Sequence, residues 1–530
     1  MYKSHRVTDS LSNRLTLLQA RLPLLTATLR GIEKEGLRVD ARAHLAMTPH
    51  PTALGSALTH PRITTDYSES LLELITQTHS SVDTLIDELR LTHRHVAATL
   101  ADDGEIMWNH SMPGSLPPEA DIPIAWYGTS NTGMLKHVYR RGLALRYSKT
   151  MQCIAGVHYN FSLHDDLWDD IVPQGADAKA RRSQGYIALI RNFTRYSWLL
   201  MYLFGASPAV SRGFLRGNEH SLQSLDADTL YLPHATSLRM SDLGYQSEAQ
   251  AQLKLCYNDL DTFLCRLHDA VTRPWSEYEQ IGTHRDGEWV QLNTNLLQIE
   301  NEYYSTIRPK RTTERGERPI TALAERGVQY VEVRCLDIDP FDPAGISAET
   351  ARFVDAFVLY CALQDSPLFE PDGHCGRSSN NFAKVVSEGR APGLQLDRDG
   401  TAIGLQQWGH ELLDGIAQCA NLFDAAYGGT QYAQAVAAQR DKLDDPDTTP
   451  SGRILATLRN RGISFQDYML ELSSQHADAL KAQPLSEADQ TAYADMAQQS
   501  VTEQADIESS DSIDFDEYVA RYHAALHRPQ

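Results

Sequence analysis

Three short segments far apart in the chain alternate apolar with ionisable side chains. That pattern calls for a β-sheet that buries one face and turns the other, charged face toward a cleft. In 155–163, AGVHYNFSL, alternation puts His158, Asn160 and Ser162 on one face and Val157, Tyr159 and Phe161 on the other. In 328–338, VQYVEVRCLDI, Val331, Val333 and Cys335 point one way and Glu332 and Arg334 the other. Asp337 and the DPFDP turn behind it favour the end of a sheet beside a cleft over a solvent-facing edge. In 31–39, GIEKEGLRV, Glu33 and Glu35 share a face if the segment is a strand.

Helices are expected around these strands. Leu11, Leu15, Leu18, Leu22 and Leu25 recur at helical spacing over 8–30, with a boundary blurred by Pro23. Leu71, Leu72, Leu74 and Ile75 predict a helix over 67–76, with Asp66 as its N-cap and Asp66, Glu69 and Glu73 near one line. Further helices are expected over 80–101, 134–149, 181–205, 246–270, 344–365 and 405–425, and the Trp-, Pro- and Gly-rich stretch 108–135 reads as an ordered loop. The expected organisation is one large body over 1–475, followed by an acidic, helical and partly flexible segment over 476–530 that carries little chemistry.

Charge and cysteine usage narrow the function. Lys plus Arg number 48 against 69 Asp plus Glu, a net charge of -21, which repels phosphate backbones and argues against nucleic acid. The 7 cysteines form an odd set without a CxxC pair, as in a reducing cytoplasm. The opening MYKSHRVTDSLSNRL has no apolar core behind its basic residues, and the longest apolar stretch, 198–206, is too short to span a bilayer. A cytoplasmic protein without a membrane partner is expected.

The chain has no GxxxxGK[ST], no credible GxGxxG, no HExxH and no GxSxG in a plausible context, so a nucleotide must be held by some other device. Glu33, Glu35, Asp66, Glu73 and Glu332, with His158 as a nitrogen donor, remain as candidates. Carboxylates gathered in one cleft repel each other unless cations neutralise them, and hard oxygen ligands suit Mg2+ or Mn2+. Such ions offset charge during phosphoryl transfer. Arg334, Arg239, and Arg308 with Lys310, could grip phosphates or a substrate carboxylate. Tyr139, Tyr245 and Tyr304 could line a small-substrate pocket.

The blocks GIEKEGLRV, HPTALGSALTHPRITTDYSESLLELIT, AWYGTSNTG, MQCIAGVHYNFSL, ATSLRMSDLGY, QIENEYYSTIRPKR and YVEVRCLDIDPF, in this order between about residue 30 and about residue 470, closely resemble the proteobacterial glutamate–cysteine ligase family. The resemblance implies an α+β fold similar to glutamine synthetase, an antiparallel sheet forming a funnel-shaped site surrounded by helices. It implies ATP-dependent joining of L-cysteine to the γ-carboxylate of L-glutamate through an acyl phosphate, with Mg2+ (or Mn2+) as the metal and glutathione as a feedback inhibitor. A monomer is compatible with it. Carried over by position, the metal ligands fall on Glu33, Glu35, Asp66, Glu73, His158 and Glu332, and the cysteine pocket on Tyr139, Arg239, Tyr245 and Tyr304. Arg334 is the implied phosphoryl-gripping residue and acts with Glu332 in catalysis, while Arg308 and Lys310 join Arg334 on the nucleotide. The competing readings are a ligase of the same fold with another amine acceptor, and a non-catalytic acidic scaffold.

Overall fold

The computed structural model describes residues 4–172, 177–243, 250, 253, 255, 257–314, 316–369 and 376–529. At its centre is an antiparallel seven-stranded sheet. Its strands are β1 (Leu29–Val39), β2 (Ile63–Thr65), β3 (Leu71–Ile75), β4 (Ile106–Met107), β5 (Val157–Ser162), β6 (Ile307–Lys310) and β7 (Tyr330–Leu336). They run in the order β6-β7-β5-β1-β3-β2, and β4 also pairs with β1.

The alternation read from the sequence sorts the two faces. Ile32, Leu72, Leu74, Val157, Tyr159, Phe161, Val331, Val333 and Cys335 are buried on the back. Behind them lie the helices Val82–Ala101, Ala178–Tyr196, Trp198–Phe204 and Ala348–Leu363, and Leu405–Tyr427 packs on Ala348–Leu363 as a further layer. Burial of this apolar surface is the main source of stability, at roughly 25 cal/mol per Å². It leaves the front face free to carry charge.

The helix expected over 67–76 is instead strand β3. Four apolar residues in five positions suit a strand buried on both faces as well as a helix stripe, and pairing decides the matter. β3 lies between β1 and β2, with Glu35 opposite Glu73 and Ile63 opposite Leu74. Asp66 therefore caps no helix; its amide donates to Leu71 O and closes the β2–β3 turn. Glu69 leaves the proposed line and accepts the amides of His50 and Trp126 at 2.9 and 2.8 Å.

Other boundaries shift as well. The 8–30 helix is two pieces, Ser4–Gln19 and Leu22–Leu25, because Pro23 fits only a first turn, and β1 begins at Leu29. The 181–205 helix breaks at Ser197, and the second piece, Trp198–Phe204, is buried throughout and meets β7. Of the helix expected over 246–270, the described residues include Leu260–Thr272, N-capped by Asp259, and Gln250, which is helical; Tyr245 and residues 246–249, 251, 252, 254 and 256 lie outside the described residues. The acidic stretch around 507–518 is helical up to Ser510 and again from Phe515. No helix among the described residues is long and apolar enough to cross a membrane.

Candidate functional site

Register brings residues far apart in sequence onto one patch of the front face. Glu33 on β1 pairs with His158 on β5, Glu35 with Glu73 on β3, Glu332 on β7 with Asn160 on β5, and Arg308 on β6 with Glu332. Period-two alternation then aims all of these side chains to the same side. His158 Nδ1 lies 3.3 Å from Glu33 Oε2 and 4.0 Å from Glu332 Oε1, and its Nε2 lies 3.6 Å from Glu35 Oε1. Asn160 Nδ2 donates to Glu33 Oε1 at 3.0 Å, and the Gly156 amide to Glu35 Oε2 at 2.6 Å. Lys310 Nζ lies 3.5 Å from Glu332 Oε1, and Arg334 Nη1 lies 3.3 Å from Glu332 Oε2.

The acids are held in two electrostatic states. Burial, followed by repulsion from Glu33, Asp66 and Glu35, pushes the Glu73 carboxyl well above the ordinary carboxylate value, and burial also raises Glu35. Burial is the largest single effect on Glu332 and opposes its ionisation too, but Lys310, Arg334, His158 and Arg308 together outweigh it and hold this group well below the usual range. At Glu33 burial is again the largest single effect and opposes ionisation, but the hydrogen bond from His158 together with the charges of His158 and Lys310 outweighs it and holds the carboxyl below its ordinary value. The positive charge near Glu35 and Glu73, from His158, Arg239, Arg334 and Arg140, thus falls short of offsetting their burial and mutual repulsion.

A divalent cation fits that deficit. Glu33, Glu73 and His158 each offer a ligand atom, all within 4.8 Å of one another. Glu332 Oε2 is buried and accepts no hydrogen bond. Carboxylate oxygens with one imidazole match the preferences of Mg2+ and Mn2+.

Beside the acids, Glu35, Asp66, His158 and Arg334 open into a cleft closed by Tyr139, Arg239, Tyr304 and Arg308. The described residues among the sequence candidates therefore share one face of the sheet and the cleft beside it. Arg239 reaches the cleft from behind a bulge in β7, where its guanidinium donates to Arg334 O at 3.0 Å and Leu336 O at 3.3 Å and lies 3.7 Å from Asp337. Gly156 makes room for it, since a Cβ there would lie 2.0 Å from Arg239 Nη2. Gly156→Ala is expected to displace Arg239 and lower kcat/KM for whatever the cleft turns over by about tenfold, or ~1.4 kcal/mol. Unchanged steady-state kinetics would mean that Arg239 lines the cleft without holding substrate.

Several cleft residues escaped the sequence reading. Arg140 donates to Asp66 O and lies 4.7 Å from the Tyr127 ring centroid, while Tyr127 OH donates to Thr65 O at 2.7 Å. Glu302 accepts from Tyr147 OH at 2.7 Å and from Arg146 Nη1 at 3.0 Å. Gln152 and Asn301 also line the cleft. Arg140 adjoins Tyr139 on a helix, where spacing alone does not say which neighbour faces inward. Glu302 lies in the QIENEYY block, whose density of polar and aromatic residues was the available signal.

The sequence model of the glutamate–cysteine ligase family matches residues 15–385. A glutamate–cysteine ligase of Bordetella parapertussis is 68% identical over 523 residues, covering 99% of both chains. One of Azotobacter vinelandii is 57% identical over 528 residues, covering 98% of this chain and 99% of that one. The structure resembles a glutamate–cysteine ligase of Francisella tularensis in complex with AMP, with a TM-score of 0.88, 39% identity, and coverage of 94% of this chain and 98% of that one. The fold also matches a bifunctional glutathione synthetase of Pasteurella multocida, with a TM-score of 0.70, 24% identity, and coverage of 88% of this chain and 55% of that one. Matches of this identity over nearly the whole length, together with a charged sheet face that opens on an Arg- and Tyr-lined cleft, place the chain in one group: it belongs to the glutamate–cysteine ligase family.

Proposed function

We propose that the site joins L-cysteine to the γ-carboxylate of L-glutamate at the expense of ATP, the first step of glutathione formation. The observation that carries this reading is the juxtaposition of the acidic row on β1, β3, β5 and β7 with a pocket lined by Tyr139, Arg239 and Tyr304. The AMP bound by the Francisella relative supports ATP as phosphoryl donor. An antiparallel sheet with its site on one face also supports the glutamine synthetase-like reading of the fold.

A carboxylate is a poor electrophile and repels an incoming nucleophile, so it must be activated before an amide can form. In this reading the γ-carboxylate of glutamate attacks the γ-phosphorus of ATP, ADP leaves, and the acyl phosphate is then attacked by the cysteine amine. Phosphate leaves as the amide forms. Arg334, fixed by Glu332, grips the oxygens of the transferring group, and Arg308 and Lys310 on β6 hold the nucleotide phosphates. Tyr139, Arg239 and Tyr304 orient the amino acid, with Tyr245 assigned beside them by position alone. Glu33, Glu35, Asp66, Glu73, His158 and Glu332 would hold Mg2+ or Mn2+, which supplies charge neutralisation for the phosphate oxygens. Glutathione, whose γ-glutamylcysteine part mimics the product, would compete for the same cleft.

Release of ADP that depends on both glutamate and cysteine tests the reading, and turnover with cysteine, 2-aminobutyrate and glycine ranks the acceptors. Glu33→Gln and Glu332→Gln are expected to cut that release by about 100-fold or more while the fold survives, because an amide keeps the shape but not the charge. Wild-type turnover in either variant would refute its assignment.

A further inference from the structure

The tail beyond residue 475 spans both walls of the cleft. One wall is the helix Asn131–Tyr147, which carries Tyr139 and Arg140; the other is 298–304, which carries Asn301, Glu302 and Tyr304. At the start of the first wall, Asp511 Oδ2 accepts the Asn131 amide at 2.5 Å, Ile513 O accepts Asn131 Nδ2 at 2.9 Å, and Glu508 Oε1 accepts the Thr129 amide at 2.8 Å. Gly128 has a φ of +81, and a Cβ there would lie 2.1 Å from Gln504 Nε2 and 2.2 Å from Glu508 Oε1. Only glycine meets both demands while the tail is seated.

The last helix, Phe515–Ala524, wedges between the walls. Val519 is buried against Val138 and Leu292, with Tyr139 and Phe515 packed on the same cluster. On the other side, Arg318 is fixed to Glu300 at 2.8 Å and donates to Tyr522 O at 3.3 Å, and His523 Nε2 lies 3.1 Å from Leu292 O. Gln298 links the walls directly: its Nε2 donates to Tyr139 O at 3.1 Å, and its amide donates to Glu302 Oε2 at 2.7 Å.

We propose that the helices Glu487–Ser510 and Phe515–Ala524 form a brace that sets the spacing of the cleft walls, with Asp511 and Val519 as positioning residues for the amino-acid acceptor. The acceptor feels the brace because Tyr139 and Tyr304 sit on the braced walls. Lys310 is held by sheet pairing and by Glu332, while Arg308, although paired in the sheet, also donates to Asn301 O at 3.0 Å and to Tyr303 O, so the nucleotide feels the brace through one residue and less than the acceptor does. The inference rests on the ligase reading, which the wild type's dependence on both amino acids checks separately.

The test uses the full chain with Asp511→Ala, Asp511→Asn and Val519→Ala. The KM for cysteine should rise about five- to tenfold in Asp511→Ala and about threefold in Val519→Ala, with the KM for ATP moving by less than about twofold and the Tm falling by no more than about 1–2 °C, chiefly in Val519→Ala. Asp511→Asn should recover most of the affinity, because its amide oxygen still accepts from the Asn131 backbone. Amide hydrogen exchange over 127–135 and 298–304, which needs no turnover, should quicken by about tenfold in Asp511→Ala. Unchanged exchange and unchanged cysteine KM in both alanine variants would overturn the brace. So would a uniform fall in kcat/KM for all three substrates together with a larger fall in Tm, the mark of a merely stabilising tail.

Discussion

Glu73→Gln should lower turnover by about 10²–10³-fold, or ~3–4 kcal/mol of transition-state stabilisation, and at the same time raise the Tm of the metal-free protein. The two effects share one cause. Glu73 is half-buried on β3 opposite Glu35, and burial together with Glu33, Asp66 and Glu35 lifts its pKa well above the ordinary value. A carboxyl whose folded pKa is raised contributes stability that is complete below the unfolded pKa, about 4.3, and is lost as pH climbs through the folded value. The metal-free wild type should therefore lose stability as pH rises above the unfolded value of about 4.3, and the neutral amide should not. The expected gain is about 1–2 °C at about pH 8, shrinking to nothing near about pH 4. Mn2+ should reverse the ranking, because it stabilises the wild type through a ligand that the variant lacks. Differential scanning calorimetry at both pH values, with and without Mn2+, reads all of this. A variant that is both inactive and less stable without metal would mean that Glu73 supports the fold rather than the cation.

The front face of the sheet was legible from the sequence because charge and alternation coincide there. His158 and Asn160 against Val157 and Tyr159, and Glu332 and Arg334 against Val331 and Val333, sit on the faces the period assigns. Glu33 and Glu35 followed once their segment was a strand. β3 was not legible, because a strand buried on both sides loses its alternation and Leu71, Leu72, Leu74 and Ile75 satisfy a helix template equally well. Glu73 still reached the site, since its assignment rested on residue type and resemblance rather than on the element. Arg140, Gln152 and Glu302 were missed for a different reason: their place depends on how a helix and two loops pack against the sheet, and no local period encodes that packing. The role of the tail was hidden for the same reason. Its contacts with 128–131 and 289–292 join positions more than two hundred residues apart, and an acidic, Ala- and Gln-rich composition gives no sign of them.

Asp355→Ala should destabilise the fold by roughly 3–5 kcal/mol, a large share of the ~5–15 kcal/mol that holds a domain of ordinary stability together. Asp355 and Arg30 are both fully buried, joined at 2.7 Å between Arg30 Nε and Asp355 Oδ2. Tyr159 OH donates to Asp355 Oδ1 at 2.8 Å and Tyr432 OH to Asp355 Oδ2 at 3.0 Å, while Arg30 Nη1 donates to Ser80 O at 2.6 Å and Tyr427 OH at 2.8 Å. The network ties β1 and β5 to the helices Ala348–Leu363 and Leu405–Tyr427. Deleting the carboxylate strands a guanidinium that cannot shed its proton and leaves two phenols without an acceptor. Arg30→Met combined with Asp355→Leu removes both charges and should recover about half of the loss, the remainder being the orphaned hydroxyls of Tyr159 and Tyr432. Guanidinium midpoints of the single and double variants measure this directly, and a double variant no better than Asp355→Ala would locate the cost in shape and hydrogen bonding instead of charge. Arg30 and Tyr159 leave their strands on the face opposite Glu33 and His158, so turnover per folded molecule should stay near wild type. Glu73→Gln and Asp355→Ala thus probe the two faces of one sheet with opposite expected signatures: the first removes activity and relieves the fold, and the second weakens the fold and spares activity.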